Sequence, residues 1–279
     1  MKLKKKQQIT AFEVCLYLFF GVLALLTLYP FYNVLIVSFS NTVTSVKYSP
    51  YLFPHVFDLT GYKAIIKDVY FFKSLGTTLL VTVLGTTLNM VFSVVAAYVL
   101  SRKRLIGRKV FLSAILFTML FSGGLIPTYL VICDLQLDNT IWSMILPTMI
   151  STYYLIIMKN YFASLPPSLE EAARIDGANE FSSFLRIGLP LLKPTLVTVG
   201  ITVVVAMYND YIWPTIALTG GDDMKTFCQI VFNAASGIAR TDLGLVAASF
   251  ILGTIPLMLI TCSCLKYYLE GMVAGAVKG

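Results

Sequence analysis

The chain has 279 residues, of which 57% are hydrophobic and only 13% are charged, and its mean hydropathy is +0.81. Soluble domains carry roughly 25% charged residues, so this composition excludes a soluble globular protein. Its 19 Phe and 16 Tyr exclude a disordered chain. The net charge of +7 comes from basic residues placed between long apolar runs, which is typical of membrane topology and not of nucleic-acid binding. We therefore expect a polytopic membrane protein in contact with lipid.

Six segments of the chain are apolar over enough residues to cross a bilayer. A spanning helix takes about 20 residues, because lipid offers backbone groups no hydrogen-bond partner. The first segment has no small-residue cleavage site after it, so we expect it to remain as an anchor. In chain order the predicted spans cover residues 12–39, 75–100, 110–132, 141–158, 191–213 and 243–265.

The basic residues between these segments predict the orientation of the chain. With the amino terminus inside, 15 of the 21 Lys and Arg fall on the inner side and 6 on the outer side. The opposite orientation would place the five positive residues of 101–109 outside, against the tendency of basic loops to stay in the cytoplasm. We predict an all-α membrane protein with six transmembrane helices and both termini inside.

The inner connection between the fourth and fifth predicted spans has the sequence features of a folded loop. Ser168 and Glu171 have the spacing of a capping box, so a helix should begin there. Gly177 should end that helix, because glycine allows a positive φ. A second short helix should follow and end at Pro190. Its apolar face, turned away from its own chain, is formed by Phe181, Phe184 and Leu185.

The same loop resembles a known family. Glu171-Ala172-Ala173, then Gly177 after three residues and Ile187-Gly188-Leu189-Pro190 after nine more, is similar to the EAA loop of binding-protein-dependent ATP-binding-cassette (ABC) importers. Residues 208–214 and 270–279 resemble the sugar-importing, maltose-type permeases of that family, and residues 121–127 resemble a subgroup linked to complex oligosaccharides. The resemblance covers nearly the whole chain.

The resemblance implies a type I ABC importer permease fold in a bacterial cell membrane. It implies that a separate ATPase docks on the cytoplasmic loop, here called the coupling loop (residues 165–190), and that ATP and Mg²⁺ bind to that partner. It further implies two ATPase subunits, a second homologous permease and an extracellular solute-binding protein that delivers the sugar. The chain then divides into an anchor helix with its outer loop (1–73), a permease core (74–267) and a cytoplasmic tail (268–279).

Functional residues of the family carry over to matching positions in the coupling loop. Glu171 would be the charged contact with the ATPase, and Gly177 would form the turn. The close-packing face of the helix would be formed by Ala172 and Ala173. The predicted ATPase-coupling set is completed by Asp176, Ile187 and Pro190.

The chain itself lacks the motifs of an ATPase or of another enzyme. It has no Gly-x-x-x-x-Gly-Lys-Ser/Thr sequence, so the energy must come from a partner. The only histidine, His55, has no cluster of ligands near it in the sequence, so we expect no metal and no cofactor in this chain. Few acidic residues fall near the predicted spans, which counts against an ion-coupled carrier.

A sugar pathway needs amide, hydroxyl and aromatic side chains on an inward helix face, because sugars carry both hydroxyls and apolar ring faces. The main candidates are Asn89, Tyr208, Asn209, Tyr211 and Trp213. Further aromatic residues lie in or beside the fourth predicted span, at Trp142, Tyr153 and Tyr154. Other roles stay open for them. Trp and Tyr gather at membrane interfaces, and Asn side chains form hydrogen bonds between neighbouring helices.

The third predicted span contains Gly123, Gly124 and Pro127, which should kink or loosen its helix. In a transporter that alternates between two openings, a loosened helix is a candidate hinge. Close helix packing explains the two glycines equally well.

The sequence thus favours the permease subunit of an ATP-driven importer of sugars, oligosaccharides in particular. Two alternatives make different predictions. An ABC permease for a polyamine or a phosphonate should carry charges selective for that solute in its pathway. An ion-coupled secondary carrier should transport its solute without ATP and without a partner chain.

Overall fold

The computed structural model describes residues 11–40, 52–54, 56–236 and 243–276. The amino-terminal lysines, His55 and the last three residues lie outside this described part. Within it, thirteen α-helices follow one another: α1 (Ala11–Ser38), α2 (Thr60–Lys67), α3 (Val69–Ser101), α4 (Arg108–Leu120), α5 (Leu125–Asp134), α6 (Ile141–Ile145), α7 (Thr152–Ala163), α8 (Pro167–Ile175), α9 (Glu180–Ser183), α10 (Leu189–Asn209), α11 (Ile212–Ala217), α12 (Phe227–Ser236) and α13 (Leu243–Ala276). A π-helix, Phe184–Gly188, joins α9 to α10. The prediction of an all-α fold is confirmed.

Four stretches of helix in the described residues are long and apolar enough to cross a membrane unaided. They are Phe12–Ser38, Val69–Ser101, Glu180–Asn209 and Leu243–Lys266. Two bent helix pairs raise the number to six if each pair forms one span. The predicted first, second, fifth and sixth spans therefore correspond to continuous helices, whereas the third and fourth are bent.

The third predicted span, 110–132, is broken where its two glycines and Pro127 predict a kinked or loosened helix. α4 ends at Leu120 and α5 begins at Leu125, with a bend of 115° between them. Gly124 has a φ of 88°, a conformation that is strained for residues with a Cβ. Pro127 lies in the first turn of α5, where its missing N–H breaks no helical hydrogen bond. No atom lies within 4 Å of a Cβ built on Gly123, so close helix packing does not explain this glycine among the described residues.

The fourth predicted span, 141–158, bends as well. Helix α6 continues into a 3₁₀ turn, Leu146–Thr148, and the axis then turns by 44° before α7. Ser151 precedes α7 with an extended backbone, so three residues leave the helical hydrogen-bond pattern at the bend. The helix then runs to Ala163, five residues beyond the predicted end.

The fifth span begins and ends earlier than its predicted limits of 191–213. The prediction that Pro190 ends a helix is wrong, because the chain passes from the π-helix through Pro190 into α10. The N–H of Leu189 donates to the Phe184 carbonyl five residues back, so the proline follows a widened turn instead of interrupting an ordinary one. The helix ends at Asn209, and Asp210 is extended.

The chain forms two compact units. The first takes in the described residues of Met1–Asp68 and Ala234–Leu252, and the second takes in those of Val69–Asn233 and Gly253–Gly279. The predicted domain boundary after residue 73 lies five residues beyond the division at Asp68. In the first unit the Oγ of Ser38 lies 2.7 Å from the Oη of Tyr62, and the Tyr62 ring stacks on Phe39.

The core of the second unit lies where α3, α7 and α10 pack together. Small and polar side chains recur along α3 every three or four residues and are buried, which lets neighbouring helices approach closely. They are Ser74, Thr78, Thr82, Gly85, Asn89, Ser93 and Ala97. The same helix therefore supplies both a packing surface and polar atoms to the interior of the unit.

Candidate functional site

The coupling loop begins with helix α8 and a tight turn. Helix α8 starts at Pro167, one residue before the predicted capping box, because proline fits the first turn of a helix. Gly177 has a φ of 78°, as predicted for the residue that ends the helix. The N–H of Ala178 donates to the Ala173 carbonyl at 2.9 Å, the bond that closes a helix whose last turn runs into a left-handed glycine.

The second half of the coupling loop leads directly into a span. The Oδ1 of Asn179 accepts the N–H of Ser182 at 2.7 Å and so caps α9. Helix α9 runs through the π-helix into α10, and Glu180–Asn209 forms one helical stretch of 30 residues. A movement of this half of the loop is therefore a movement of the span itself.

The predicted coupling residues differ in exposure. Glu171, Ala172, Asp176 and Gly177 are exposed, whereas Ala173 is buried. Ile187 is half-buried in the π-helix, and Pro190 is exposed at the start of α10. The exposed residues lie on the first helix and its turn, which leaves that part of the loop open to a partner.

The outward apolar face predicted for the second helix is wrong in one residue. Phe181 is 68% exposed, whereas Phe184 is only 9% exposed. The π-helix begins at Phe184, where the chain enters the core of the second unit. Phe181 and Leu185 remain available on the surface.

Tyr98 of α3 holds the coupling loop against the spans. Its ring centroid lies 5.3 Å from that of Phe162 and 4.8 Å from that of Phe184. Its Oη donates to the Glu180 carbonyl at 3.3 Å. A Cβ on Gly188 would lie 3.2 Å from Phe162 and 3.4 Å from Tyr98, so the absence of a side chain at Gly188 permits this close junction.

Arg102, four residues after Tyr98 in the chain, packs against the same junction. Its guanidinium carbon lies 4.0 Å from the Tyr98 ring centroid, and its Nε lies 3.9 Å from the Glu180 carboxylate. The Glu180 side chain is 60% exposed, so this ion pair is weak and the contact with the ring matters more. The sequence pattern alone does not single out Tyr98 or Arg102, although their spacing of four residues at the end of a span is a usable signal.

A cavity of about 370 Å³ lies between α3, α7 and α10, towards the ends of α3 and α10 that are remote from the coupling loop. We call it the Asn89 cavity. Its lining combines hydroxyl, amide and apolar side chains, from Thr78, Val81, Asn89, Met144, Thr148, Ile150, Ser151, Thr152, Tyr154, Val203, Ala206, Met207, Asp210, Pro214 and Thr226. Such a surface can bind an uncharged polar solute.

Asn89 lines this cavity and carries a buried acceptor that has no partner among the described residues. Its side chain is 2% exposed, and its Nδ2 donates to the Thr148 carbonyl at 2.7 Å. Its Oδ1 accepts no hydrogen bond from any residue that the structure describes. A buried polar atom without a partner costs roughly 1–3 kcal/mol, which a hydroxyl of a bound solute would offset.

Two of the predicted pathway residues are buried away from the cavity. The Oη of Tyr208 donates to the Gly253 carbonyl, and the Nε1 of Trp213 donates to the Ser143 carbonyl at 2.8 Å. These bonds satisfy the polar atom of each ring inside the core. Trp213 lies in α11, beyond the end of the fifth span.

The other two predicted pathway residues are more exposed and also lie outside the lining of the cavity. The Nδ2 of Asn209 donates to the Val205 carbonyl of its own helix at 3.0 Å. The ring of Tyr211 packs on Phe232 with a centroid distance of 4.6 Å. Of the five main candidates, only Asn89 lines the Asn89 cavity.

Asp210 is the single charged residue in the lining of the Asn89 cavity, as far as the structure describes it. Its Oδ1 accepts the N–H of Trp213, in the first turn of α11, at 3.2 Å. Tyr154 lines the cavity too, and so do Thr148, Ser151 and Thr152, which were not among the predicted residues. Their signal in the sequence is a run of polar side chains inside an apolar segment.

Comparison with known proteins gives the family. Residues 89–267 match the family described as binding-protein-dependent transport system inner membrane component. Protein LplC of Bacillus subtilis (strain 168) is 35% identical over 282 residues, covering 96% of this chain and 95% of that protein. The polygalacturonan/rhamnogalacturonan transport system permease protein YtcP of the same organism is 36% identical over 283 residues, covering 96% and 98%.

A solved structure shows the same fold. The crystal structure of a bacterial ABC transporter involved in the import of the acidic polysaccharide alginate contains a chain with a TM-score of 0.84 and 27% sequence identity, covering 96% of this chain and 100% of that one. The fold is that of a type I ABC importer permease, and the family consists of transport components and not of enzymes. The chain belongs to the family of binding-protein-dependent transport system inner membrane components.

Proposed function

We propose that this chain is the permease subunit of an ATP-driven importer of sugars, oligosaccharides in particular, in a bacterial cell membrane. The names of YtcP and of the alginate transporter both refer to carbohydrate chains, which supports this substrate class. The Asn89 cavity adds support from chemistry, because its amide, hydroxyl and aromatic side chains match the hydroxyls and ring faces of a sugar. A polyamine or phosphonate lacks the hydroxyls and ring faces that this lining matches.

One observation carries the proposal: two helices run without a break from the coupling loop to the Asn89 cavity. Helix α3 contains Tyr98 at the loop and Asn89 at the cavity. The stretch Glu180–Asn209 begins in the loop and ends beside Asp210 of the cavity. A displacement of the loop is therefore carried to two walls of the cavity.

The mechanism follows from this linkage. A separate pair of ATPase subunits, which bind ATP and Mg²⁺, supplies the energy. The exposed helix α8, with Glu171 as its charged contact, docks on one of them from the inner side of the membrane. Movement of the loop shifts α3 and α10 and switches the cavity between outward and inward openings. A second, homologous permease forms the other half of the pathway, and both termini of this chain lie inside.

Three further elements complete the proposal. An extracellular solute-binding protein delivers the sugar, and the Oδ1 of Asn89 accepts one of its hydroxyls. The break at Gly123, Gly124 and Pro127 serves as a hinge. Tyr208 and Trp213 support the wall behind the cavity through their buried hydrogen bonds.

The test is purification of the tagged chain from its native cells in mild detergent, with mass spectrometry of the proteins that accompany it. Recovery of an ATPase and a second permease is expected. The complex is then reconstituted in vesicles with its binding protein, and uptake of maltotriose, arabinotriose and trigalacturonate is measured with and without ATP. Uptake that continues without ATP, by this chain alone, would show an ion-coupled carrier or a channel instead.

A further inference from the structure

The connection between α3 and α4 is a short basic segment that joins two apolar helices. We call it the basic turn (residues 101–109), and it contains five of the 21 Lys and Arg of the chain. The second span, α3, ends at Ser101, and α4 begins at Arg108 as the first half of a bent pair that is apolar enough to cross a membrane. The basic turn therefore lies where the chain leaves and re-enters the bilayer, at the level of the lipid headgroups.

Hydrogen bonds hold the basic turn in a defined shape. The N–H of Leu105 donates to the Arg102 carbonyl, and that of Arg108 donates to the Leu105 carbonyl, both at 3.3 Å. The Nε of Arg108 donates to the Leu100 carbonyl at 2.8 Å, which satisfies one of the carbonyls left over at the end of α3. Gly107 then begins α4 with a φ of 73°, which glycine adopts without strain.

Three cations of the basic turn remain exposed, namely Lys103, Arg104 and Lys109. None of the residues that the structure describes forms a hydrogen bond or an ion pair with these three side chains. An anion that approaches the turn therefore meets positive charges that the described chain does not neutralise.

The basic turn also exposes a large apolar side chain between its cations. Ile106 is 93% exposed, and Val110 and Phe111 in the first turn of α4 are exposed as well. Helix α4 has no buried residue. Apolar side chains directly beside cations suit a membrane surface, because acyl chains and headgroup phosphates lie side by side there.

Lys103 and Arg104 also line an opening of about 540 Å³ beside the coupling loop, which is large enough for a phosphate-containing headgroup. The same opening is lined by Glu171 and Glu180. The Glu180 carboxylate lies 3.9 Å from the Nε of Arg102, so its charge faces a cation. A phosphate is therefore favoured at the side of the opening formed by Lys103 and Arg104.

A protein partner fits these features less well than lipid does. A protein would need an acidic surface for Lys103 and Arg104 and, directly beside it, an apolar pocket for Ile106. An acidic phospholipid supplies both in one molecule, and lipid already surrounds the apolar helices on either side of the turn.

We propose that the basic turn is a binding site for an acidic phospholipid, with phosphatidylglycerol as the probe. Lys103 and Arg104 bind the lipid phosphate, Lys109 adds to the positive field, and Ile106 inserts among the acyl chains. The bound headgroup lies beside the coupling loop, because both border the same opening. That the lipid belongs to the inner leaflet follows from the orientation given in the proposed function, whereas the site itself needs only α3 and α4 to enter the bilayer.

The test measures which lipid lies beside position 106 in the whole transporter, reconstituted with its partner chains in vesicles of phosphatidylcholine and phosphatidylglycerol. The five native cysteines are replaced, together with those of the partner chains, and a bimane fluorophore is attached to Ile106→Cys. Its quenching by nitroxide-labelled phosphatidylglycerol is compared with its quenching by nitroxide-labelled phosphatidylcholine at equal mole fraction. A second probe, on Tyr17→Cys at an exposed position of α1, reports the surrounding lipid.

Two double variants with the same net charge test the cations. Lys103→Gln with Arg104→Gln removes two charges from the basic turn, and Lys159→Gln with Lys193→Gln removes two from other parts of the predicted inner side. Labelled phosphatidylglycerol is expected to quench the probe at position 106 about twofold more strongly than labelled phosphatidylcholine, because cations at the surface attract its headgroup. The preference should disappear in the first variant and persist in the second, and the probe at position 17 should show none.

Three results would overturn the proposal. They are equal quenching of the wild-type probe at position 106 by the two lipids, the same loss of preference in both double variants, and no quenching by either lipid. The last result would show that a partner chain covers the basic turn. The measurement needs no transport, so a complex that fails to take up sugar would contradict the proposed function without changing this result.

Discussion

The phenol group of Tyr208 donates a hydrogen bond to the carbonyl oxygen of Gly253, and both residues are buried in the second unit. The Phe227 ring packs directly over Gly253, where a Cβ could not be added without moving the ring. The Tyr208 and Phe227 ring centroids lie 6.4 Å apart. Gly253 is therefore the point at which α10, α12 and α13 meet, and the absence of a side chain there is what lets them do so.

Gly253→Ala is expected to destabilise the protein by about 1–3 kcal/mol, because the added methyl group displaces the Phe227 ring in a packed core. The measurement is the thermal midpoint of the purified complex in detergent, followed by size-exclusion chromatography. Gly76→Ala is the matched control, since no atom lies within 4 Å of its Cβ position. The double variant with Phe227→Leu should recover part of the loss. Equal midpoints for Gly253→Ala and Gly76→Ala would contradict this packing.

The coupling loop gives a prediction about energy transfer. Glu171→Ala is expected to abolish ATP-driven uptake while the chain still folds and inserts, because the exposed carboxylate is the proposed contact with the ATPase. Uptake, ATPase stimulation by the loaded binding protein and the amount of assembled complex are measured together. Glu13→Ala on α1 is the control, as an exposed acid far along the chain from the loop. Normal uptake by Glu171→Ala would remove the docking role from this residue.

At the junction around Tyr98, two variants compare how much ring packing and the Arg102–Glu180 ion pair each contribute to stability. Tyr98→Ala removes a buried ring that touches Phe162 and Phe184, and we expect it to lower the free energy of unfolding by about 3–5 kcal/mol. Glu180→Gln removes only an exposed charge 3.9 Å from Arg102, and we expect less than about 1 kcal/mol. Denaturation of the two variants in the same detergent compares them. A larger loss for Glu180→Gln would mean that the ion pair, and not the ring, holds the loop.

The parts of the fold that local chemistry determines were predictable from the sequence. Long apolar runs gave four of the spans, and Gly177 with its neighbours gave the turn of the coupling loop. The break near Gly124 falls where the two glycines and Pro127 predict a loosened helix, but the residue pattern does not give its angle of 115°. The passage through Pro190 was not predictable either, because a π-helix has no clear pattern in the sequence.

For the predicted sugar-binding residues, too, the residue types were predictable but their surroundings in the fold were not. Composition indicates that amides and aromatic rings occur near the end of the fifth span, but it does not say which of them face a cavity. Which side chains face the cavity depends on where α10 ends and on which hydrogen-bond partners lie near each of them. Tyr208 and Trp213 find backbone carbonyls in the core, whereas Asn89, whose Nδ2 bonds the Thr148 carbonyl, keeps its Oδ1 free of described partners beside the cavity.

A comparison of Asn89 and Asn209 tests whether the sugar passes through the Asn89 cavity. Asn89→Leu is expected to lower sugar uptake at least tenfold, because it removes the unpartnered Oδ1 that we propose accepts a sugar hydroxyl. Asn209→Leu removes only a hydrogen bond within its own helix, so uptake should stay within twofold.

The two variants are compared in vesicles at several sugar concentrations. The Asn89 effect should appear in the uptake rate for the transported sugar, while the basal ATPase rate stays normal because the coupling loop is unchanged. Asn89→Gln is the informative third variant, since it keeps both an amide oxygen that accepts and an amide nitrogen that can donate to the Thr148 carbonyl, and it should retain more uptake than Asn89→Leu. If Asn209→Leu fails and Asn89→Leu transports normally, the sugar passes along the outer rim of α10 and the Asn89 cavity is not its path.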